Sequence, residues 1–186
     1  MNMKEQLKKA EERMGRRYDH MCKEFSEIRA GRANPAVLDK VKVDYYGAPT
    51  PVNQLAAVSV TEARTLTIQP WDASILRQIE KAIQKSDIGI NPMNDGKLIR
   101  LVFPPLTEDR RKEITKDVQK IAEDTKVQVR NVRRDTIEKL KAMKKSGELT
   151  EDDLKNGEKK TQDLTDKFIK KIDSTSAAKQ KEILEL

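Results

Sequence analysis

The chain has 186 residues, enough for one or two modest hydrophobic cores, and its 36% apolar content lies above the range of disordered proteins. Charged residues make up 37% and aromatic residues 4%, a composition typical of long solvated helices. The net charge of +7 favours a polyanionic partner, although solubility alone would also account for it. The single cysteine, Cys22, excludes an intrachain disulfide and a cysteine zinc cluster. With no secretory signal or long apolar run, we expect a soluble cytoplasmic protein.

The first predicted element is an amphipathic helix from Asn2 to about Arg29. Four of its apolar residues follow one another at seven-residue spacing and the others fall between them, which places all of them on one face. These residues are Leu7, Ala10, Met14, Tyr18, Met21, Phe25 and Ile28. The helix is therefore expected to bury one seam against other helices.

Residues 31–105 differ from the first helix in composition and periodicity. Every proline of the chain lies there, and the hydrophobic period shortens to that of strands. Alternating segments at 41–45, 65–69 and 98–103 predict three strands. The run Asn94-Asp95-Gly96 predicts a turn before the last of them.

One helix interrupts these strands. Either Asp72 or Ser74 can cap its N-terminus, and its apolar residues recur at helical spacing. They are Ile75, Leu76, Ile79, Ala82 and Ile83. Residues 31–104 are therefore predicted to form a small β/α/β domain inserted between helices.

The chain crosses the boundary of this insert twice. It leaves the first helix through Ala30, Gly31 and Arg32, and it returns through Pro104 and Pro105. Glycine supplies backbone freedom, while two prolines block further strand pairing and stiffen the return. Such a pair of linkers predicts a hinge. The alternative is that these residues only end secondary structure, and the periodicity does not decide between the two.

Two long helices are predicted after the insert. The first covers about 108–145 and ends at Ser146-Gly147, and Thr150 with Asp153 has the pattern of an N-cap that opens the second. The expected buried residues of the first are Ile114, Val118, Ile121, Ala122, Thr125, Val129, Val132, Thr136, Leu140 and Met143. Those of the second are Leu154, Thr161, Leu164, Phe168, Ile172 and Thr175.

Three long helices with matching apolar faces and a short connection between the last two predict an elongated antiparallel three-helix bundle. The bundle is discontinuous in the sequence, since it takes residues 1–30 and 105–186. With the inserted β/α/β domain, the predicted fold class is α+β.

A basic stripe flanks the apolar face of the helix at 108–145. At about 100° per residue, Arg133, Lys126, Arg130 and Arg134 fall within roughly 40° to 140° of Val129. Residues 106–146 also hold 13 basic and 8 acidic groups, the largest positive excess of any segment. The stripe is suited to a phosphate backbone, but on charge pattern alone an ordinary solvated helix face is the commoner interpretation.

No group of residues predicts catalysis. His20 and Cys22 lie on a bundle helix, where a packed or surface role is commoner than that of a general base or a nucleophile. There is no phosphate-binding loop of the GxxxxGK[ST] type, no GxGxxG after a strand and no His/Cys pair at metal spacing. We therefore expect a protein that is not an enzyme.

Several strings along the chain resemble the bacterial ribosome recycling factor family and stand in the same order with compatible spacing. They are RAGRANP (29–35), YYG (45–47), TPVNQLA (50–56), IQPWD (68–72), IEKAIQKSDIGINPMNDG (79–96), IRLVFPPLTEDRRKE (99–113) and VRNVRRD (129–135). Departures are conservative, with Ile88 and Ile90 where leucine is common and Asp109 where glutamate is common. The last helix supports the resemblance mainly by its pattern.

The resemblance implies an L-shaped, tRNA-like outline and a role after termination. Such a protein binds between the ribosomal subunits and, with elongation factor G and GTP, splits the ribosome so that mRNA and tRNA leave. The bundle is then expected against large-subunit ribosomal RNA, and the residues expected to bind RNA are Arg29, Arg32, Arg110, Arg130, Arg133 and Arg134. The resemblance implies a monomer and no cofactor, metal or membrane.

Two other classes of protein stay open from the residues alone. A coiled-coil adaptor would use the helical seams to bind partner helices and would oligomerise. A hydrolase or transferase would act through His20 or Cys22 and would lose activity when either is replaced.

Overall fold

The computed structural model describes residues 2–28 and 30–185. Its contacts divide the chain into two compact units. The first, which we call the bundle, consists of Met1–Ile28 and Glu108–Leu186. The second, which we call the small unit, consists of Arg29–Thr107.

The helices and strands are defined as follows. The α-helices are α1 (Met3–Glu27), α2 (Val52–Leu55), α3 (Leu76–Lys85), α4 (Glu108–Lys145) and α5 (Glu151–Leu184). The β-strands are β1 (Lys42–Tyr45), β2 (Ala48–Pro51), β3 (Ala56–Glu62), β4 (Thr65–Pro70), β5 (Met93–Asn94) and β6 (Ile99–Val102). Short 3₁₀ turns cover Pro35–Leu38 and Ala73–Ile75.

The three bundle helices begin and end at local signals in the sequence. At α1, the Asn2 side chain accepts from the Glu5 N–H at 2.9 Å and the Glu5 carboxylate accepts from the Asn2 N–H at 3.1 Å, which forms a capping box. Thr150 and Asp153 form the same box at α5. Gly147, at φ +82°, ends α4 in the left-handed region. The predicted ends of these helices are therefore confirmed to within two residues.

The bundle core joins apolar side chains from all three helices. From α1 it takes Ala10, Met14, Met21 and Phe25. From α4 it takes Ile114, Val118, Ala122, Thr125, Val129, Val132, Thr136, Leu140 and Met143. From α5 it takes Leu154, Gly157, Thr161, Thr165, Phe168, Ile172, Ser176 and Ile183. The predicted seam is thus confirmed for most positions. The predicted residues that are only half-buried are Leu7, Tyr18, Ile28, Ile121, Leu164 and Thr175.

Four buried threonines lie in this core. The hydroxyls of Thr125, Thr136, Thr161 and Thr165 each donate to the carbonyl of the fourth preceding residue at 2.8 Å. Their polar atoms are therefore satisfied within their own helices, and the outward methyl groups pack like those of valine.

The small unit is built around a four-stranded antiparallel sheet with the order β3-β4-β6-β5. In its centre Leu66 faces Leu101 and Ile68 faces Ile99 across neighbouring strands, and all four side chains are fully buried. A separate hairpin joins β1 to β2. The helix α3 buries Leu76, Ile79 and Ile83. Asp72 caps the 3₁₀ turn Ala73–Ile75 that precedes it, accepting from the Ser74 N–H at 2.9 Å, while α3 itself has no side-chain cap, so the predicted cap of this helix by Asp72 or Ser74 was wrong.

The α+β fold class with a three-helix bundle and a small sheet domain is confirmed. The three predicted strands correspond to β1, β4 and β6. The strands β2, β3 and β5 were not predicted. Most residues of β3 are exposed and β5 has only two residues, so neither strand shows a clear alternation of apolar and polar residues. Among the described residues, no helix is long and apolar enough to cross a lipid bilayer.

Candidate RNA-binding surface

The helix α4 carries the three arginines of the basic stripe beside buried residues of the bundle core. Val129 and Val132 are buried, Arg130 and Arg133 are half-buried, and Arg134 is exposed. Within the described part of the chain, no hydrogen bond or ion pair joins the side chain of Arg130 or Arg134 to another residue. These two guanidinium groups are therefore available to an anion from solvent.

Arg133 differs from its neighbours because α5 holds its guanidinium group. Arg133 Nη1 donates to Gln162 Oε1 at 2.8 Å, and Gln162 Nε2 donates in turn to Asp166 Oδ1 at 2.8 Å. Arg133 Nε is buried and has no hydrogen-bond partner. Arg133 Nη2 donates to no described residue.

Lys126 lies in the stripe by position but its charge is balanced. Lys126 Nζ is 2.7 Å from carboxylate oxygens of both Asp173 and Glu123, and its side chain is only 13% exposed. The hydrogen bonds to Asp173 and then to Glu123 raise the pKa of Lys126 above its usual range. Lys126 is therefore a member of the stripe by position, but its charge is paired with carboxylates of the protein, whereas those of the arginines are not.

Arg110 lies on the same helix but well apart from these three arginines. Arg110 lies roughly six turns before Arg133 on α4, about 35 Å away at 1.5 Å per residue, and its Nη1 donates to Glu113 Oε2 at 2.8 Å. Arg32 is exposed and belongs to the small unit. Arg29 lies outside the described residues. Of the six arginines predicted to bind RNA, the structure thus brings together Arg130, Arg133 and Arg134.

The predicted hinge residues have unusual backbone geometry on one side. Ala30 and Gly31 have φ values of +40° and +86°, a region that favours glycine. A Cβ on Gly31 would lie 3.2 Å from Leu106 Cγ. Pro104 and Pro105 are exposed and belong to no helix or strand. These features describe a tight turn and an irregular return, and the hinge itself stays a prediction.

The residues considered for catalysis are not brought into a site. The His20 side chain is 69% exposed, with Nδ1 3.9 Å from Glu24 Oε1, and Cys22 is a half-buried free thiol. In residues 2–28 and 30–185, no group of three or more His, Cys, Asp and Glu side chains is placed to hold a metal ion.

The sequence predicted no role for Gln162, Asp166 or Arg111. The first two stand four residues apart on one helix, a spacing at which a glutamine and an aspartate interact, but only the packing of α5 on α4 shows that they reach Arg133. Arg111 is half-buried and its Nε has no hydrogen-bond partner. No local pattern in the sequence indicates that geometry.

These features define an α+β protein whose three-helix bundle carries a basic surface of three arginines on α4. Residues 21–184 match the family model described as ribosome recycling factor. Because that match covers most of the chain, the chain belongs to the ribosome recycling factor family, whose members are translation factors and not enzymes.

Individual relatives agree over nearly the whole length. The ribosome-recycling factor of Acetivibrio thermocellus is 61% identical over 182 residues, which are 98% of this chain and 100% of that protein. That of Caldicellulosiruptor saccharolyticus is 56% identical over 184 residues, 99% of this chain and 100% of the relative.

Two solved structures are similar along the entire chain. The solution structure of a ribosome recycling factor has 37% sequence identity and a TM-score of 0.66, and the similarity covers 100% of this chain and 99% of that one. The second is the T. thermophilus ribosome recycling factor, studied with E. coli elongation factor G on the E. coli post-termination complex. Its sequence identity is 42% and its TM-score is 0.57, and the similarity covers 99% of this chain and 100% of that one.

Proposed function

We propose that this chain binds the post-termination ribosome and, with elongation factor G and GTP, promotes subunit splitting and release from mRNA. Membership of the family supports this role, as does the similar T. thermophilus factor on a post-termination complex with elongation factor G. The chain acts in the cytoplasm as a monomer.

The surface of Arg130, Arg133 and Arg134 is the proposed contact with large-subunit ribosomal RNA. The observation that carries this assignment is that none of the three guanidinium groups forms an ion pair with a described carboxylate, whereas Lys126 on the same face does. Arginine suits such a contact because its planar fork donates two hydrogen bonds to a phosphate or a base edge. Arg29, Arg32 and Arg110 are proposed as further, separate contacts.

The work of splitting comes from the partner, because GTP is hydrolysed by elongation factor G. The chain then has to hold RNA firmly and transmit force. The 38-residue helix α4 is about 57 Å long at 1.5 Å per residue and is stiffened by packing along both neighbouring helices. Residues 30–32 and 104–105 are the proposed hinge between the two units.

The test measures binding and splitting separately. Co-sedimentation with isolated large subunits should show binding that falls steeply from about 50 to about 200 mM salt, as phosphate contacts require. Light scattering of post-termination ribosomes should show splitting only when the chain, elongation factor G and GTP are all present. Binding without splitting under the complete conditions would refute the proposed function.

A further inference from the structure

We propose that Gln162 and Asp166 of α5 are positioning residues that fix the Arg133 guanidinium in the orientation in which it binds ribosomal RNA. This inference rests on the proposed function of Arg133. Neither residue needs to touch RNA, because both act through Arg133. We call the three side chains the Arg133 relay.

The two hydrogen bonds of Gln162 agree in direction. Its Oε1 accepts from Arg133 Nη1 and its Nε2 donates to Asp166 Oδ1, each at 2.8 Å. A flipped amide would place Nε2 against the guanidinium and Oε1 against the carboxylate, so two attractive contacts would become repulsive. Asp166 therefore fixes the orientation of Gln162, and Gln162 fixes that of Arg133.

An uncharged acceptor such as the Gln162 amide orients the Arg133 guanidinium without balancing its charge, which a carboxylate would do. A direct ion pair, such as that of Arg13 Nη2 with Asp135 Oδ2 at 2.8 Å, orients an arginine but balances its charge locally. At Arg133 the carboxylate is one side chain further away, so the guanidinium is held by a hydrogen bond while its charge stays available to phosphate. Burial of Arg133 Nε adds to the constraint, since the stem cannot swing freely.

The same two helices contain a matched arrangement without an arginine. Gln119 Nε2 of α4 donates to Gln180 Oε1 of α5 at 2.9 Å, and Gln180 Nε2 donates to Ser176 Oγ at 2.9 Å. This second chain of hydrogen bonds also links α4 to α5 through a glutamine. Its loss should affect helix packing in a similar way, but it has no arginine to orient.

The experiment measures large-subunit affinity of the full chain for Gln162→Ala, with Gln180→Ala as the matched control. We expect Gln162→Ala to weaken binding about three- to tenfold, because the freed Arg133 side chain must then lose its conformational freedom when it binds. Gln180→Ala should bind like the wild type. Circular dichroism melts should show that both variants fold with similar thermal stability. Equal losses in the two variants would overturn the proposal, since the effect would then be one of packing.

A double-mutant cycle separates positioning from direct contact. In the Arg133→Ala background, Gln162→Ala should cause no further loss of affinity, because the group that it orients is gone. Additive losses would mean that Gln162 acts independently of Arg133 and would overturn the relay. If Arg133→Ala itself binds like the wild type, the RNA contact assigned to Arg133 fails, whereas a loss in Arg133→Ala with none in Gln162→Ala refutes the relay alone.

Gln162→Glu and Asp166→Asn test the choice of acceptor. The glutamate still accepts from Arg133 but balances its charge, so binding should fall at least as far as in Gln162→Ala and the salt dependence should decrease by about one phosphate contact. Asp166→Asn should give a smaller loss, because it weakens the fixed orientation of Gln162 only. Wild-type affinity in Gln162→Glu would contradict the argument from charge.

Discussion

Arg133 keeps its charge while one of its nitrogens is held, and this combination separates it from the other cations of α4. A guanidinium that is already oriented loses less conformational entropy on binding than a free side chain does. Arg134 is exposed and lacks this advantage. The three arginines of the surface are therefore not expected to contribute equally.

Replacement of Arg133 tests that inequality. Arg133→Ala should weaken binding to large subunits by about 1 to 3 kcal/mol, and Arg133→Lys should restore only part of the loss, because lysine keeps the charge but not the planar fork. Arg134→Ala, the control, should weaken binding less. Co-sedimentation titrations measure all three, and melting temperatures should stay close to that of the wild type. Full rescue by lysine would reduce the contact to simple electrostatics.

Tyr46 is a second residue whose local geometry has a measurable consequence. It stands in the β1–β2 turn at φ +52°, followed by Gly47 at φ +83°, and its side chain is 89% exposed. Two successive positive φ values define a type I′ turn, which favours asparagine followed by glycine. The strain on a bulky residue there is about 1 to 2 kcal/mol, whereas the edge contact of its ring with Tyr45 is worth about 0.5 kcal/mol at an exposed site.

Because the strain exceeds the ring contact, Tyr46→Asn should stabilise the protein by up to about 1 kcal/mol. Urea unfolding followed by circular dichroism measures the change. Tyr46→Ala is the control, since it removes the ring but keeps a residue that disfavours positive φ. A loss of stability in Tyr46→Asn would show that the two rings contribute more than the turn.

At the scale of the helices, replacing two glycines by alanine is expected to change the stability of the protein in opposite directions. A Cβ on Gly15 of α1 would lie 3.9 Å from Phe168 Cζ, an ordinary contact. A Cβ on Gly157 of α5 would lie 2.9 Å from Leu140 Cδ1 and 3.1 Å from Met3 Sδ. Leu140 is fully buried, so its methyl group has little space into which to retreat.

Gly15→Ala should therefore stabilise the protein by about 0.5 to 1 kcal/mol, the usual gain in a helix interior. For Gly157→Ala the same gain is opposed by overpacking of about 1 to 3 kcal/mol, so the net effect should be destabilising. Chemical denaturation of the two variants in parallel gives both values. Equal stabilisation would show that the bundle yields at Leu140.

Lys126 predicts a pH dependence of the contact between α4 and α5. Its pKa is raised in the folded state by Asp173 and Glu123, so the stability that it contributes is fully present below its unfolded pKa, about 10.4, and is lost as the pH rises through the folded pKa. Lys126→Met, which keeps most of the stem, should cost about 0.5 to 1 kcal/mol at pH 7. The difference from wild type should shrink above about pH 10.5.

Urea unfolding at neutral and alkaline pH measures that difference. The control is Lys112→Met, which removes an ion pair with Glu108 in which both side chains are more than half exposed; its effect should be close to zero at both pH values. A Lys126 effect that does not change with pH would show that the covered stem, rather than the charge, is responsible.

The elements that the sequence predicted well are those with a long period and a local end signal. The helix α4 was predicted at about 108–145 and spans Glu108–Lys145, because its apolar seam repeats over many turns. The buried Gly157 and Ser176 were missed, since small residues carry no hydrophobic signal. The Arg133 relay was missed for a different reason: it joins two helices, and the rotation of one helix against the other is decided by packing.

At the scale of the whole molecule, binding and splitting should be separable by domain. Replacing residues 31–104 by a short flexible linker should leave a helical bundle that still associates with large subunits, because Arg130, Arg133 and Arg134 lie on α4. The truncated chain should not split ribosomes. Circular dichroism checks folding, and sedimentation with light scattering checks the two activities. A folded bundle without ribosome association would move the RNA-binding surface to the small unit.

The discontinuity of the bundle also has a consequence during synthesis. The helix α1 leaves the ribosome first, but the helices that cover its seam end at Lys145 and Leu184. At a synthesis rate of about 5 to 20 residues per second, α5 is completed roughly 8 to 30 s after α1. During that interval Met14, Met21 and Phe25 lack the partners that bury them in the finished protein. We therefore expect the apolar face of α1 to stay open to factors that shield apolar helices until the last helix of the nascent chain emerges.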